Sequence, residues 1–160
     1  MRKIHQLLDE YGESHQNGTN KAIHWICVPV IFFSIVGLLT EIKVPGFAAW
    51  LPAELTDFGT VAALVAFPVL LYYLRLSANM FFGMLLWMVF CLWGNVWIEK
   101  NIAMDLWLFS LILFVVAWIG QFIGHKIEGA KPSFFKDLQF LLIGPAWLMS
   151  FIYGKLGFKY

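Results

Sequence analysis

Apolar residues fall in long blocks along this chain, separated by short polar clusters. The first 14 residues follow a different pattern: Ile4, Leu7, Leu8 and Tyr11 recur at helical spacing with charges between them. That spacing predicts an amphipathic helix, which would pack on a membrane surface or cap a bundle. The run Gln16-Asn17-Gly18-Thr19-Asn20 follows, and its Asn-Gly pair predicts a turn with left-handed backbone. Thr19 or Asn20 is then expected to cap the next helix.

Blocks long enough to cross a bilayer come next, a crossing needing roughly 20 apolar residues. The first expected span covers residues 22–39, with Pro29 able to kink it. In the loop after it, Phe47, Trp50 and Leu51 suit a membrane interface. A second span is expected over residues 58–76, with Pro68 inside, and a third over 81–98. Only Arg75, Ser77 and Asn79 mark the turn between them, so these two should form a tight hairpin. The fourth is expected over 104–124, begins near Asp105, and ends on Gly120 and Gly124, a small-residue pair that lets helices approach closely. The last apolar run, 138–153, is interrupted by Gly144-Pro145 and reads as a short tilted span or a re-entrant segment.

Composition supports this picture. The chain is 61% hydrophobic and 13% charged, against about 45–50% and about 25% in ordinary soluble domains. The expected fold is all-α: a multi-pass transmembrane bundle of four to five spans in a single integral membrane domain over residues 1–160. Residues 1–21 supply the amphipathic helix and turn, and 22–153 the bundle. A formal charge of +1 with no basic stripe argues against nucleic acid as a partner. Cys27 and Cys91 sit in apolar runs without metal-type spacing and read as small buried hydrophobes. Asp9, Glu10 and Glu13 precede the first apolar run, so that run is expected to stay in the protein rather than be cleaved.

The basic residues orient the bundle. With the N-terminus in the cytosol, Arg2, Lys3, Lys21, Arg75, Lys126, Lys131 and Lys136 lie inside, and Lys43 and Lys100 outside. A re-entrant last segment adds Lys155 and Lys159 to the inside, and five full spans would put them outside; both obey the positive-inside rule, the first better. Either way His15, His24, His125 and Glu128 fall on the cytosolic side. The membrane would be a bacterial inner membrane, or the endoplasmic reticulum in a eukaryote.

Two polar clusters at that face carry the candidate chemistry, because ionisable groups at membrane depth are functional candidates by default. One runs from Tyr11 through His15, Asn17, Asn20 and Lys21 to His24; the other holds Gln121, His125, Lys126 and Glu128. Gln121, His125 and Glu128 are four and three residues apart, which at about 100° per residue places them on one helix stripe. His15 and His24 are nine apart, and the intervening turn lets both aim into one pocket. Three histidines with a carboxylate suit Fe(II), Zn or Mn, and a site with open positions suits non-haem Fe(II). Glu128 is either a ligand or the group that orients a ligating histidine. Taken singly, a histidine at such an interface more often just hydrogen-bonds a headgroup or a carbonyl; convergence of three favours a metal site. His5 lacks a polar cluster and reads as a surface residue.

Other chemistries find less support. No Gly-x-Ser-x-Gly elbow and no glycine-rich phosphate loop is present. The eight tryptophans read as interface anchors and packing, and Asn79 and Asn95 as links between helices. A haem held by two histidines, or a non-catalytic transporter or lipid-binding scaffold, remain as alternatives. The near absence of ionisable groups from the span centres disfavours a conduction path.

These motifs resemble a family of small multi-pass membrane proteins, the 2-hydroxy fatty acid dioxygenases. The family's N-terminal pattern is matched by Tyr11, His15, Asn17, Asn20, Ile23, His24, Val28 and Pro29. Its later pattern is matched by Gln121, Phe122, Gly124, His125, Glu128 and Pro132, and the stretch from Gln139 to Pro145 is also similar. The resemblance covers essentially the whole chain. It implies an Fe(II)-dependent dioxygenase using molecular oxygen to cut a 2-hydroxy fatty acid between its first two carbons. The acid left is one carbon shorter, the outcome of alpha-oxidation. The family's required histidines fall on His15, His24 and His125, and the acyl chain would lie between apolar helices. Lys21 or Lys126 would meet the substrate carboxylate. In one respect the chain departs from the pattern: the family glutamate lies one residue further from the histidine than Glu128 does.

Overall fold

A computed structural model describes residues 3–129 and 140–159. Within them the chain is helical: α1 (Lys3–Glu13), α2 (Gly18–Thr40), α3 (Pro45–Ala48), α4 (Val61–Leu76), α5 (Ala78–Asn101), α6 (Leu106–Glu128) and α7 (Ile143–Leu156), with a 3-10 turn at Ala53–Phe58. The protein is a multi-pass helical bundle. By length and composition α2, α5 and α6 can each cross a membrane, and α4 is a shorter apolar helix.

The helix starts follow from side-chain caps. Asn17 takes extended backbone (φ −67°, ψ 130°), and its Oδ1 accepts from the amides of Thr19 and Asn20 at 2.9 and 3.3 Å. Asn17 is therefore the cap, in place of the expected Thr19 or Asn20. Gly18 already opens α2, so no left-handed turn forms there. Among the described residues, positive φ is confined to Gly129 and Gly157, which end α6 and α7. Thr60 caps α4 and Ser77 caps α5. The second apolar helix thus begins at Val61 rather than 58, because Phe58 belongs to the 3-10 turn. Pro29 and Pro68 both lie inside continuous helices.

α2 is the central helix. A Cβ on Gly120 would stand 2.6 Å from Cys27 Sγ, and one on Gly124 2.4 Å from Asn20 Oδ1, so glycine is what lets α6 lie this close to α2. On another face, Gly37 lets Ser110 Oγ of α6 and Asn95 Oδ1 of α5 come within 2.2 and 2.4 Å of where its Cβ would be. Asn95 Nδ2 donates to the Phe33 and Cys91 carbonyls at 3.2 and 2.8 Å, a link between helices as its position suggested.

The loop after α2 is organised rather than plain. Val44 and Gly59, and Val61 and Ile42, pair through backbone hydrogen bonds of 2.7 and 2.9 Å. Lys43 pairs with Glu99 at 2.7 Å, and Lys100 pairs with Asp57. Trp50 is 88% exposed.

At the other end α1 caps the bundle. Its Ile4, Leu8 and Tyr11 bury one helical stripe against Tyr73, Met80, Met84 and the Ile143, Ala146 and Trp147 side of α7. Both ends of α7 lie here. Tyr73 of α4 donates to the Leu142 carbonyl at 2.7 Å, Tyr153 donates to the Asn79 carbonyl at 2.5 Å, and Asn79 donates to the Lys159 carbonyl. Both ends of α7 thus lie at one end of the bundle, an arrangement that fits the re-entrant alternative for the last apolar run and not the short tilted span. Residues 138 and 139 of that run, and with them Gln139, lie outside the described residues, as do Lys131, Pro132 and Lys136.

Candidate metal centre

Three histidines meet at this end. His15 follows α1, His24 lies in the second turn of α2, and His125 in the last turn of α6. They are 3%, 0% and 4% exposed. One ligand nitrogen from each lies within 4.8 Å of the others, and among the described residues this is the group able to hold a metal. Ring centroids are 4.2 Å apart for His15 and His24, 5.0 Å for His24 and His125, and 5.4 Å for His15 and His125.

The backbone fixes two of the rings. His15 Nδ1–H donates to the Tyr11 carbonyl at 2.7 Å, and His24 Nδ1–H to the Asn20 carbonyl at 3.0 Å. A carbonyl oxygen only accepts, so Nδ1 carries a proton, and in the neutral ring the lone pair is on Nε2. That is the arrangement a ligating histidine needs. Three metal–nitrogen bonds of about 2.1 Å set their nitrogens at most about 3.6 Å apart around one ion. A contraction of the cluster by about an ångström would close a shell around one ion, so the donor set fits a divalent metal.

Aromatic rings wall His15. Tyr11 stacks on it at 4.3 Å and 10°, and Trp147 of α7 stands 5.4 Å away. Tyr11 is held in turn by Trp147 at 5.3 Å and Phe140 at 5.6 Å. The sequence patterns gave no reason to place Trp147 here, because the contact depends on α7 folding back over the bundle end.

Glu128 occupies a different position from the three imidazoles. Its carboxylate accepts from the Gln16 amide at 2.8 Å, the Asn17 amide at 3.0 and 3.1 Å, and Asn20 Nδ2 at 2.9 Å. It joins the end of α6 to the α1–α2 turn, directly between His15 and His24 in sequence. Gln16 was not among the candidate residues, and its part is played by a main-chain amide. Asn17 and Asn20 take part in this clamp, and Asn20 Nδ2 also reaches the Ser14 carbonyl at 3.3 Å. Gln121 is buried one turn before His125. Lys21 is half-buried, Lys126 is exposed, and His5 is half-buried on α1 outside the histidine group.

A multi-pass helical membrane protein with a buried three-histidine cluster at one end is the class that this fold and site define. The chain belongs to the Mpo1-like family: the family described as 2-hydroxy-palmitic acid dioxygenase Mpo1-like matches residues 1–156. It is similar to the 2-hydroxy-palmitic acid dioxygenase MPO1 of Saccharomyces cerevisiae, 29% identical over 157 residues, which cover 97% of this chain and 82% of that protein. No solved structure matches the chain.

Proposed function

We propose that this protein is an iron(II)-dependent dioxygenase that cleaves 2-hydroxy fatty acids between C1 and C2, with His15, His24 and His125 holding the iron. The observation that carries this reading is the meeting of three buried imidazoles from distant parts of the sequence, within 4.8 Å, in a chain of this family.

The reaction balances with dioxygen alone: R–CH(OH)–COOH + O2 gives R–COOH + CO2 + H2O. The C1–C2 bond breaks, C1 leaves as carbon dioxide and C2 becomes the new carboxyl carbon. The four electrons released reduce dioxygen, so no separate reductant is needed. Iron(II), when bound, supplies the redox and Lewis-acid chemistry for this step. The protein contributes position. Carbonyls of Tyr11 and Asn20 set the histidine tautomers, and the Glu128 clamp sets the distance between the turn and α6. Tyr11 and Trp147 screen His15 from water on one side. Substrate enters from the lipid, where a long-chain acid concentrates.

The histidine end is proposed to face the cytosol. α7 lies at that end, so Lys155 and Lys159 join Lys3, Lys21, Arg75 and Lys126 there, with Lys43 and Lys100 at the other.

Detergent-purified protein, reconstituted anaerobically with Fe(II) and then given 2-hydroxypalmitate and oxygen, is expected to form the fifteen-carbon acid, read by mass spectrometry. His15→Ala, His24→Ala and His125→Ala are each expected to lose bound iron and product while keeping their helical circular dichroism. Iron and turnover retained in all three would sink the site assignment. Iron bound without product from any chain length would remove the reaction and leave the metal centre. Absence of iron binding would favour a lipid-binding scaffold.

A further inference from the structure

The metal centre accounts for the polar end of a 2-hydroxy acid but not for its hydrocarbon chain, and two hollows are lined by sequence or ring neighbours of the histidines, though by no histidine itself. One is bordered by Tyr11, Val28, Trp118, Gln121 and Gly144 and has a volume of about 20 Å³. That is room for about one water molecule, too small for a chain. The other is a groove of about 140 Å³ between α2, α5 and α7, lined by Trp25, Pro29, Met84, Trp87, Leu148 and Met149. Val28 and Gly144 border the small hollow, while their neighbours Pro29 and Pro145 border the groove. The two therefore lie on opposite sides of the α2–α7 contact. That contact is tight: a Cβ on Gly144 would stand 3.0 Å from the Tyr11 hydroxyl and 3.1 Å from Val28 Cγ1.

We propose that this groove holds the alkyl chain of the 2-hydroxy acid, entered sideways from the lipid; the assignment rests on the dioxygenase reading above. The lining is apolar, and its two methionines adapt to a flexible chain. A row of packed rings stands between the histidines and the groove wall. His15 lies 5.4 Å from Trp147, Trp147 4.7 Å from Phe151, and Phe151 6.1 Å from Trp25. The depth also fits. Trp25 adjoins His24, and Pro29 lies five residues further along α2, about 7.5 Å deeper at the helical rise of about 1.5 Å per residue. An acid whose head passes these rings to the histidines would run inward along the groove. Trp25 and Ile152 on the rim are 40% and 39% exposed, so the groove opens towards lipid. A phospholipid tail meets the same walls, but only an acid with its head at the histidines is held at both ends.

The test uses a 2-hydroxy acid bearing a diazirine at mid-chain, irradiated with the detergent-purified full chain, and peptide mass spectrometry to locate the adduct. Adducts are expected on Met84, Trp87, Leu148 or Met149. Excess 2-hydroxypalmitate should reduce them about ten-fold more than the same concentration of phosphatidylcholine, a difference of about 1.4 kcal/mol in binding. Equal competition by the phospholipid, or adducts elsewhere, would overturn the assignment. Ile152→Trp, which narrows the rim, is expected to lower kcat/KM for 2-hydroxypalmitate about ten-fold more than for 2-hydroxyoctanoate. Equal effects on both would also overturn it. The two readings fail separately. Competed adducts without turnover would uphold the groove and remove the dioxygenase, and turnover with adducts elsewhere would do the reverse.

Discussion

At the scale of single residues, one carboxylate outside the histidine cluster holds the segment between His15 and His24. Glu128 accepts four hydrogen bonds, three from the backbone amides of Gln16 and Asn17 in the α1–α2 turn and one from Asn20 in the first turn of α2. Charge-assisted bonds of this kind are roughly twice as strong as neutral ones. Removing them frees the turn that carries His15. Glu128→Ala is therefore expected to weaken iron binding by about 10–100-fold, the usual cost of losing an outer support of a metal site. Glu128→Gln, which keeps one acceptor oxygen, should lose less. Anaerobic iron titration measures both, and an unchanged affinity in Glu128→Ala would show that the clamp does not organise the centre. The sequence pointed to the three histidines because each stands in a polar cluster beside an apolar block. It left the role of Glu128 open, between ligand and support, because the clamp's main partners are backbone amides. Such amides are present at every residue but proline and leave no mark in composition or spacing.

Among the elements, the long helices were legible because lipid demands long apolar stretches with few polar interruptions: α2 and α5 extend their expected spans by a few residues, and α6 starts two residues later than expected and ends four later. The short elements were not. The turn at Ala53–Phe58 and the pairing of Val44 with Gly59 rest on local backbone bonds that no hydrophobic period records. The start of α2 was misplaced for a related reason: Thr19, Asn20 and Asn17 are all competent caps, and only the observed backbone of Asn17 decides between them. Helix packing has its own test at Gly37. An added Cβ there would press on Ser110 Oγ and Asn95 Oδ1, both buried. Gly37→Ala is expected to cost about 1–3 kcal/mol, as overpacking does. Gly154→Ala, with nothing within 4 Å of the new carbon, should cost far less. Thermal unfolding in one detergent compares them, and equal midpoints would contradict this account of the α2–α5–α6 contact.

For the whole molecule, the histidine end draws on α1, α2 and α6 and is closed over by α7. An ion bound by three of these segments holds the native arrangement and has no comparable site in the unfolded chain. Iron(II) at 100 times its dissociation constant is accordingly expected to stabilise the fold by about 2.7 kcal/mol. The rise in unfolding temperature should vanish in His125→Ala; the same rise in that variant would place the stabilising ion elsewhere.

The distance in sequence between the three histidines has a consequence for how the protein is made. His15 and His24 leave the ribosome early, and His125 emerges only after α4 and α5 have been synthesised between them. Until then the early histidines lack the third nitrogen and the Glu128 carboxylate that fixes their turn. A nascent chain stalled before α6 would hold iron weakly, whereas a completed and inserted one would hold it well. Firm iron retention would then mark the end of membrane insertion, and an unfinished chain would be unable to activate oxygen inside the bilayer.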